Sequence, residues 1–323
     1  MRFWWRPATF AFFVVPLIGQ LELIGGLLAQ PATRASSDYP SREITLYSLP
    51  TPTVPGHIAK DLTIRLGQPV NLFSLSSRTF VTKSVIEARP DGYTLLVGGV
   101  EDIIFPSALY RSAPFDPLAE LTPVAMLYKT SYGLVANKAL PYSTFQEVIA
   151  AAKSEGKLRF SIWKTGSYQH IVAEALQAFT GTWFPYTKDS CCLNDVFHGD
   201  SDLGVDTVEL VKFDIDHNRA KPLAILSANR NPLLPNVPTS VESGISHPEI
   251  GFWVGLFAPA NTPRANITRL QEAIAAGKDV WKPQYEKYGD EPMPIAAENL
   301  KEYMSSQYEM WKKVIKGAGI QLD

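Results

Sequence analysis

Disulfide chemistry is almost closed to this sequence. Its 323 residues hold two cysteines, the neighbours Cys191 and Cys192. These either remain free thiols or close a strained vicinal ring, so no disulfide framework holds the fold. Catalytic signatures are missing as well: there is no G-x-S-x-G, H-E-x-x-H, C-x-x-C, Walker or G-x-G-x-x-G pattern. The five histidines, His57, His170, His198, His217 and His247, are scattered, with no i,i+4 pair suited to a metal. Neither sign of charge dominates. Thirty basic and 32 acidic residues leave a net −2, with no block of like charge, which speaks against nucleic acid or an anionic membrane surface as a partner. What remains after these exclusions is a binding protein rather than an enzyme, with no cofactor or metal implied.

What the chain does have begins with an address. Arg2 and Arg6 precede an apolar run from Ala8 to Gly19 and a second from Leu23 to Ala29, with small residues near Ala29 and Ala35 as cleavage positions. These are the parts of a secretory signal covering residues 1–35, and they predict export to the periplasm. The two runs together approach the length that spans a bilayer, so an uncleaved anchor is the alternative, although Gln20 and Glu22 interrupt them. No cysteine stands near the cleavage positions, which argues against a lipoprotein anchor.

Beyond a polar linker, apolar runs alternate with helical patterns. "YTLLVGG", Tyr93 to Gly99, reads as a buried strand between turns. "STFQEVIAAAKSEGK" carries Thr144 at an N-cap, Glu147 three residues on as the other half of a capping box, and Gly156 as a stop. "LRFSIW", "TWFPY", "DLGVD" and "KPLAILS" read as strands and "YQHIVAEALQAF" as a helix, while Thr262-Pro263 predicts an N-cap followed by proline at the first helical position. Met304, Tyr308, Trp311 and Ile315 fall on one helical face near the C-terminus, a packing stripe. Such alternation predicts an α/β protein of doubly wound, parallel sheets with ligand sites at the carboxyl ends of the strands. The turn "TPTVPGH", Thr51 to His57, then opens a helix whose unpaired N–H groups favour an anion, except that Pro55 has none to give.

Ten short segments stand in order along the chain: "RLGQPV", "ARPDGYTLLVG", "PSALY", "PFDPLAELTPVAML", "GKLRFS", "GSYQH", "PY", "LPNVPTSVESGI", "WVGLFAPANTP" and "WKKVIKGAGIQ". From Ile44 to Asp323 the chain thereby resembles the substrate-binding proteins of tripartite tricarboxylate transporters, the Bug family of periplasmic solute-binding receptors. The resemblance implies a periplasmic-binding-protein-like Venus flytrap of two doubly wound α/β domains around a ligand cleft. Residues 38–136 with 254–323 would form the first domain and 137–253 the second. It further implies a small organic carboxylate as ligand and the membrane permease subunits of a tripartite transporter as partner. The alternative is a divergent receptor that signals to a membrane sensor kinase or has lost family-type binding.

Carried over by position, the ligand loops are Thr51, Thr53 and Gly56 in the first turn; Lys164, Thr165, Gly166 and Ser167 opposite; then Tyr186 and Lys188; and Asp206 at a strand tip. The bland roles for these residues are helix capping by Thr165 and Ser167, and core packing by Tyr186. The chain departs from the family where a run of glycines in the first loop is cut to Gly56 and where a second glycine-rich segment becomes "SLSSRTF", Ser74 to Phe80. Backbone donors are lost there, and Lys164, Lys188 and Arg78 are the charges placed to compensate. Trp163 and Tyr168 add bulk beside the cleft.

Overall fold

The computed structural model describes residues 38–49, 54–187, 193–245, 250–293, 295 and 297–323, which fall in one compact unit. The expected signal, residues 1–35, and the Cys191–Cys192 pair lie outside the described residues. The elements begin with β1 (Ile44–Ser48), α1 (Val54–Leu66), β2 (Val70–Ser74), α2 (Arg78–Ile86), β3 (Thr94–Gly99), α3 (Val100–Leu109), α4 (Pro117–Glu120) and β4 (Leu121–Thr130). β5 (Tyr132–Asn137), α5 (Phe145–Glu155), β6 (Phe160–Ser161), α6 (Tyr168–Thr180), β7 (Tyr186–Thr187), α7 (Leu193–His198), β8 (Leu203–Thr207), α8 (Val208–Asp216) and β9 (Ala220–Ile225) follow. β10 (Phe252–Pro259), α9 (Arg264–Tyr288), β11 (Asp290–Pro292) and α10 (Leu300–Gly317) complete the series.

Two sheets result, one in the order β11-β4-β10-β3-β1-β2 and one in the order β7-β6-β8-β5-β9. They are mixed rather than parallel throughout. β1 pairs parallel with both β2 and β3, but β10 runs antiparallel to β3 and β4, and β5 runs antiparallel to β8 and β9. The cause is the double crossing: β4 leads out of the first sheet and β10 leads back in, so the two lie side by side in opposite senses, with Phe252 opposite Thr130. The first crossing also falls earlier than the sequence suggested. Thr130 still pairs within the first sheet and Tyr132 already pairs with Thr207, so Ser131 is the link, and Val135 to Asn137 are ladder positions of the second sheet.

Local signals explain the ends of α5. Thr144 Oγ1 accepts the Glu147 N–H at 3.2 Å, Glu147 accepts the Thr144 N–H at 3.0 Å, and Gly156 ends α5 in the left-handed region at φ 62°. At α9 the expectation was off by one residue. Pro263 occupies the N-cap rather than the first turn, and Thr262 donates its hydroxyl to the Pro259 carbonyl at 2.8 Å instead of capping the helix. The C-terminal stripe is core: Leu300, Met304, Trp311 and Ile315 of α10 are buried.

The core lies in three parts. Ile58 and Leu62 of α1 pack with Leu270 and Trp281 of α9 on one face of the first sheet. Val135, Val196, Val211 and Ile225 fill one face of the second. The largest part runs unbroken from the first sheet into the second. At the join, Tyr168 of α6 stacks on Tyr132 with ring centres 4.1 Å apart and on Phe105 at 5.9 Å, with Phe252 and Trp311 against its edges. No helix among the described residues is long and apolar enough to cross a membrane.

Candidate functional site

The carboxyl ends of β1 and β3, with the helix starts that follow them, meet the tip of β8 across a cavity of about 440 Å³. Val54 and Pro55, the first residues of α1, are buried in its wall, and Pro55 has no N–H to offer. Gly99, also in this wall, admits no side chain: a Cβ there would lie 2.6 Å from the Trp253 carbonyl oxygen and 2.8 Å from the Phe252 ring. Its N–H is already taken, because Asp102, three residues into α3, folds back to accept it at 2.9 Å. The carboxylates of Glu101 and Asp102 in the first turn of α3 thus oppose the attraction that a helix start has for an anion.

A second cavity, of about 570 Å³, lies beside the first and shares Leu49, Arg78 and Glu101 with it. Here the start of α2 faces the loop before α6. Ser77, the N-cap of α2, makes no side-chain cap bond, so the first amides of that helix are not claimed by a side-chain cap. Lys164 stands over the Trp163 ring, its ammonium 4.6 Å from the ring centre, and both side chains are exposed. Gly166 is held at φ 77°, and a Cβ on it would approach Leu322 to 3.1 Å. Ser167 caps α6 by accepting the His170 N–H at 3.3 Å, which leaves its own hydroxyl proton free to donate.

Of the residues singled out from sequence, Lys164, Thr165, Gly166 and Ser167 are brought together in the second cavity. Thr51, Thr53 and Lys188 lie outside the described residues. Gly56, Tyr186 and Asp206 line neither cavity. Tyr186 turns into its own domain, donating to Glu174 at 2.7 Å and accepting from Gln177 at 2.5 Å. His170 belongs to the same network. Its Nδ1 accepts the Gly166 N–H at 3.0 Å, so Nε2 carries the proton and faces Glu174 at 3.5 Å. Burial raises the Glu174 carboxyl, but the bonds from His170 and Tyr186 outweigh it and hold the group below its ordinary value. Asp206 accepts the Thr207 N–H at 2.8 Å, and burial pushes its carboxyl up to about 6.

The first cavity also contains what sequence reading overlooked, namely four carboxyl groups from Glu101, Asp102, Glu209 and Asp290. Arg78 pairs with Glu101 and brings Nε to 4.0 Å from Asp102 Oδ1. Burial raises Asp102 to about 6, against the lowering effect of Arg78, and raises Asp290 to about 7, with Glu209 adding to the rise. Only Asp102 carries a local signal, an acid at the third position of a helix after glycine. Glu101 is its neighbour in α3, and Glu209 and Asp290 come from α8 and β11. Among the described residues no group of histidine, cysteine or carboxylate side chains is placed to hold a metal ion.

The model of the tripartite tricarboxylate transporter family receptor matches residues 55–320. Protein BugT of Bordetella pertussis is 26% identical over 322 residues, covering 94% of this chain and 98% of BugT. An R. palustris protein solved with adipate, Rpa4515, superimposes with a TM-score of 0.73 at 26% identity, covering 88% of this chain and 99% of that one. The periplasmic binding protein BugD shares the fold at a TM-score of 0.70 and 24% identity, over 88% of this chain and 99% of its own.

Proposed function

The chain belongs to the tripartite tricarboxylate transporter receptor family, and from that premise we propose that it is an extracytoplasmic receptor for a small organic acid, which it delivers to the membrane permease subunits of such a transporter. Export through the N-terminal segment to the periplasm and the absence of a catalytic step belong to the same reading. The observation that carries it is the second cavity, where the first turn of α2 faces Lys164, Thr165 and Ser167 across the two domains. A helix start, two hydroxyls and an ammonium supply what a carboxylate needs, namely oriented N–H and O–H donors and one positive charge. Binding between the domains also couples ligand to closure, since only contacts made to both sides favour the closed state over the open one. The relative solved with adipate makes six-carbon acids the first probes.

The test is a thermal-shift screen of the purified protein against mono-, di- and tricarboxylates and amino acids. A ligand at a hundredfold excess over its Kd should add about 2.7 kcal/mol to stability. Loss of that rise in Lys164→Ala and in Ser167→Ala supports the assignment of these residues, whereas a rise unchanged by both places the ligand elsewhere. Failure of every organic acid would overturn the receptor reading and favour a divergent chain that has lost family-type binding.

A further inference from the structure

The loop before α6 carries a capping pattern with a changed third member. Ser167 is the N-cap and accepts the His170 N–H at 3.3 Å, the spacing of a capping box, but the residue at the third helical position is a histidine and not Glu or Gln. His170 does not return to the N-cap amide: the Ser167 N–H goes to the Lys164 carbonyl at 3.0 Å. Nδ1 of His170 accepts from the preceding residue instead, the Gly166 N–H, at 3.0 Å. Lys164 to Ser167 thus form a closed β-turn whose third residue has φ 77°. Thr165, its second residue, is not in the positive-φ region, so the turn is of type II, with the central N–H directed at His170.

A type I turn differs by about half a rotation of the Thr165–Gly166 peptide. That rotation would bring the Thr165 carbonyl to where the Gly166 N–H now points, and a carbonyl there needs a donor. The imidazole offers an acceptor at Nδ1 only while its proton sits on Nε2. What Nε2 faces favours that state. Glu174 Oε1 lies 3.5 Å away and also accepts the Tyr186 hydroxyl at 2.7 Å; Gln177 donates to that hydroxyl at 2.5 Å and accepts the Phe184 N–H at 2.7 Å. The Tyr186 ring stands edge-on to the imidazole, with centres 4.9 Å apart. His170 is 6% exposed and lines neither cavity, so it reaches a ligand only through the loop. On the receptor reading given above, we propose that His170 is a positioning residue for ligand binding: its Nε2–H tautomer, fixed by Glu174, selects the type II turn that sets Lys164, Thr165 and Ser167 against the start of α2.

Two measurements on the full-length protein at neutral pH test this. Nitrogen-15 NMR of the imidazoles, with the His170 signals assigned by their loss in His170→Asn, is expected to show a proton on Nε2 and none on Nδ1. The Nδ1–H tautomer or the imidazolium overturns the proposal, and this arm needs only the parent protein, so it decides even where a variant does not fold. Calorimetry then gives Kd for adipate and the other organic acids of the screen in the parent, in His170→Leu, which has no acceptor, and in His170→Asn, whose carboxamide oxygen stands in for Nδ1. His170→Leu is expected to weaken binding at least about tenfold, equivalent to ~1.4 kcal/mol, and His170→Asn to stay within about threefold of the parent. Melting temperatures of the two variants separate lost fold from lost affinity. Unchanged affinity in His170→Leu, or the same loss in both variants, overturns the positioning role and leaves the receptor reading standing. Binding of no organic acid by the parent overturns the receptor reading, and the positioning role with it.

Discussion

Two helix starts, a short distance apart, answer the same problem in opposite ways. At α3 the chain provides its own anion: Asp102 returns to the Gly99 N–H, and with Glu101 it turns the first cavity acidic. At α2 the N-cap is Ser77, without a side-chain cap bond, and the cavity it opens on holds Lys164 and hydroxyl groups. Both follow a strand of the same sheet. The difference shows that the ligand preference of a strand-to-helix turn depends on the side-chain charges placed at it, so the fold alone does not decide the sign of the charge it accepts.

The strongest way to break the comparison is to remove the ring that stands where the two domains join. Tyr168→Ala deletes the side chain packed on Tyr132 and Phe105, and is expected to cost roughly 3–5 kcal/mol in a chemical denaturation experiment. Tyr168→Phe sharpens the point. Among the described residues the Tyr168 hydroxyl has no hydrogen-bond partner, so its loss should leave stability within about 1 kcal/mol of the parent.

Next in size is pH. Asp102 and Asp206 titrate near 6 and Asp290 near 7 in the folded protein, against an ordinary aspartate value of 3.8. Between these limits the folded state holds more protons than the unfolded chain, so the contribution of these three groups to stability falls as pH rises from about 4 to about 7. Melting temperature followed across that range should decline. Asp290→Asn, which keeps an acceptor for Thr130, should recover on the order of 1–3 kcal/mol above pH 7 and nothing at pH 4.

On the basic side, Ser167→Ala removes the cap of α6 and should cost about 1 kcal/mol, less if glycine is used instead. Lys164→Ala has the smallest expected effect on stability, below about 0.5 kcal/mol, because its ammonium is exposed over Trp163. Its consequence should appear in affinity for a carboxylate, measured by calorimetry, and not in the melt.

Much of this was legible in the chain. The α5 capping box is encoded within one turn and the α10 packing stripe along one helix face, where spacing alone carries the information, whereas the Lys164–Ser167 loop was singled out only by its position in the family resemblance. Tyr186 was legible as a position but not as a direction, since the partner that claims its hydroxyl, Glu174, sits on a helix face whose orientation sequence does not fix. The acidic cavity was hidden for a plainer reason. Asp102 opens α3, Glu209 opens α8 and Asp290 opens β11, and only the crossing of the chain at Ser131 and before Phe252 places such distant positions around one space.

The aromatic stack turns the border between the domains into shared interior, and this limits how such proteins can be recombined. Phe105, Tyr132, Tyr168, Phe252 and Trp311 come from five separate elements on both sides of the crossings. A chimera with a relative that exchanges the whole set keeps a complementary packing, whereas one spliced at Ser131 and ahead of Phe252 mates two faces shaped for different partners. Exchange of a ligand-binding lobe between members of this fold is therefore limited by five side chains at the seam before any question of ligand arises.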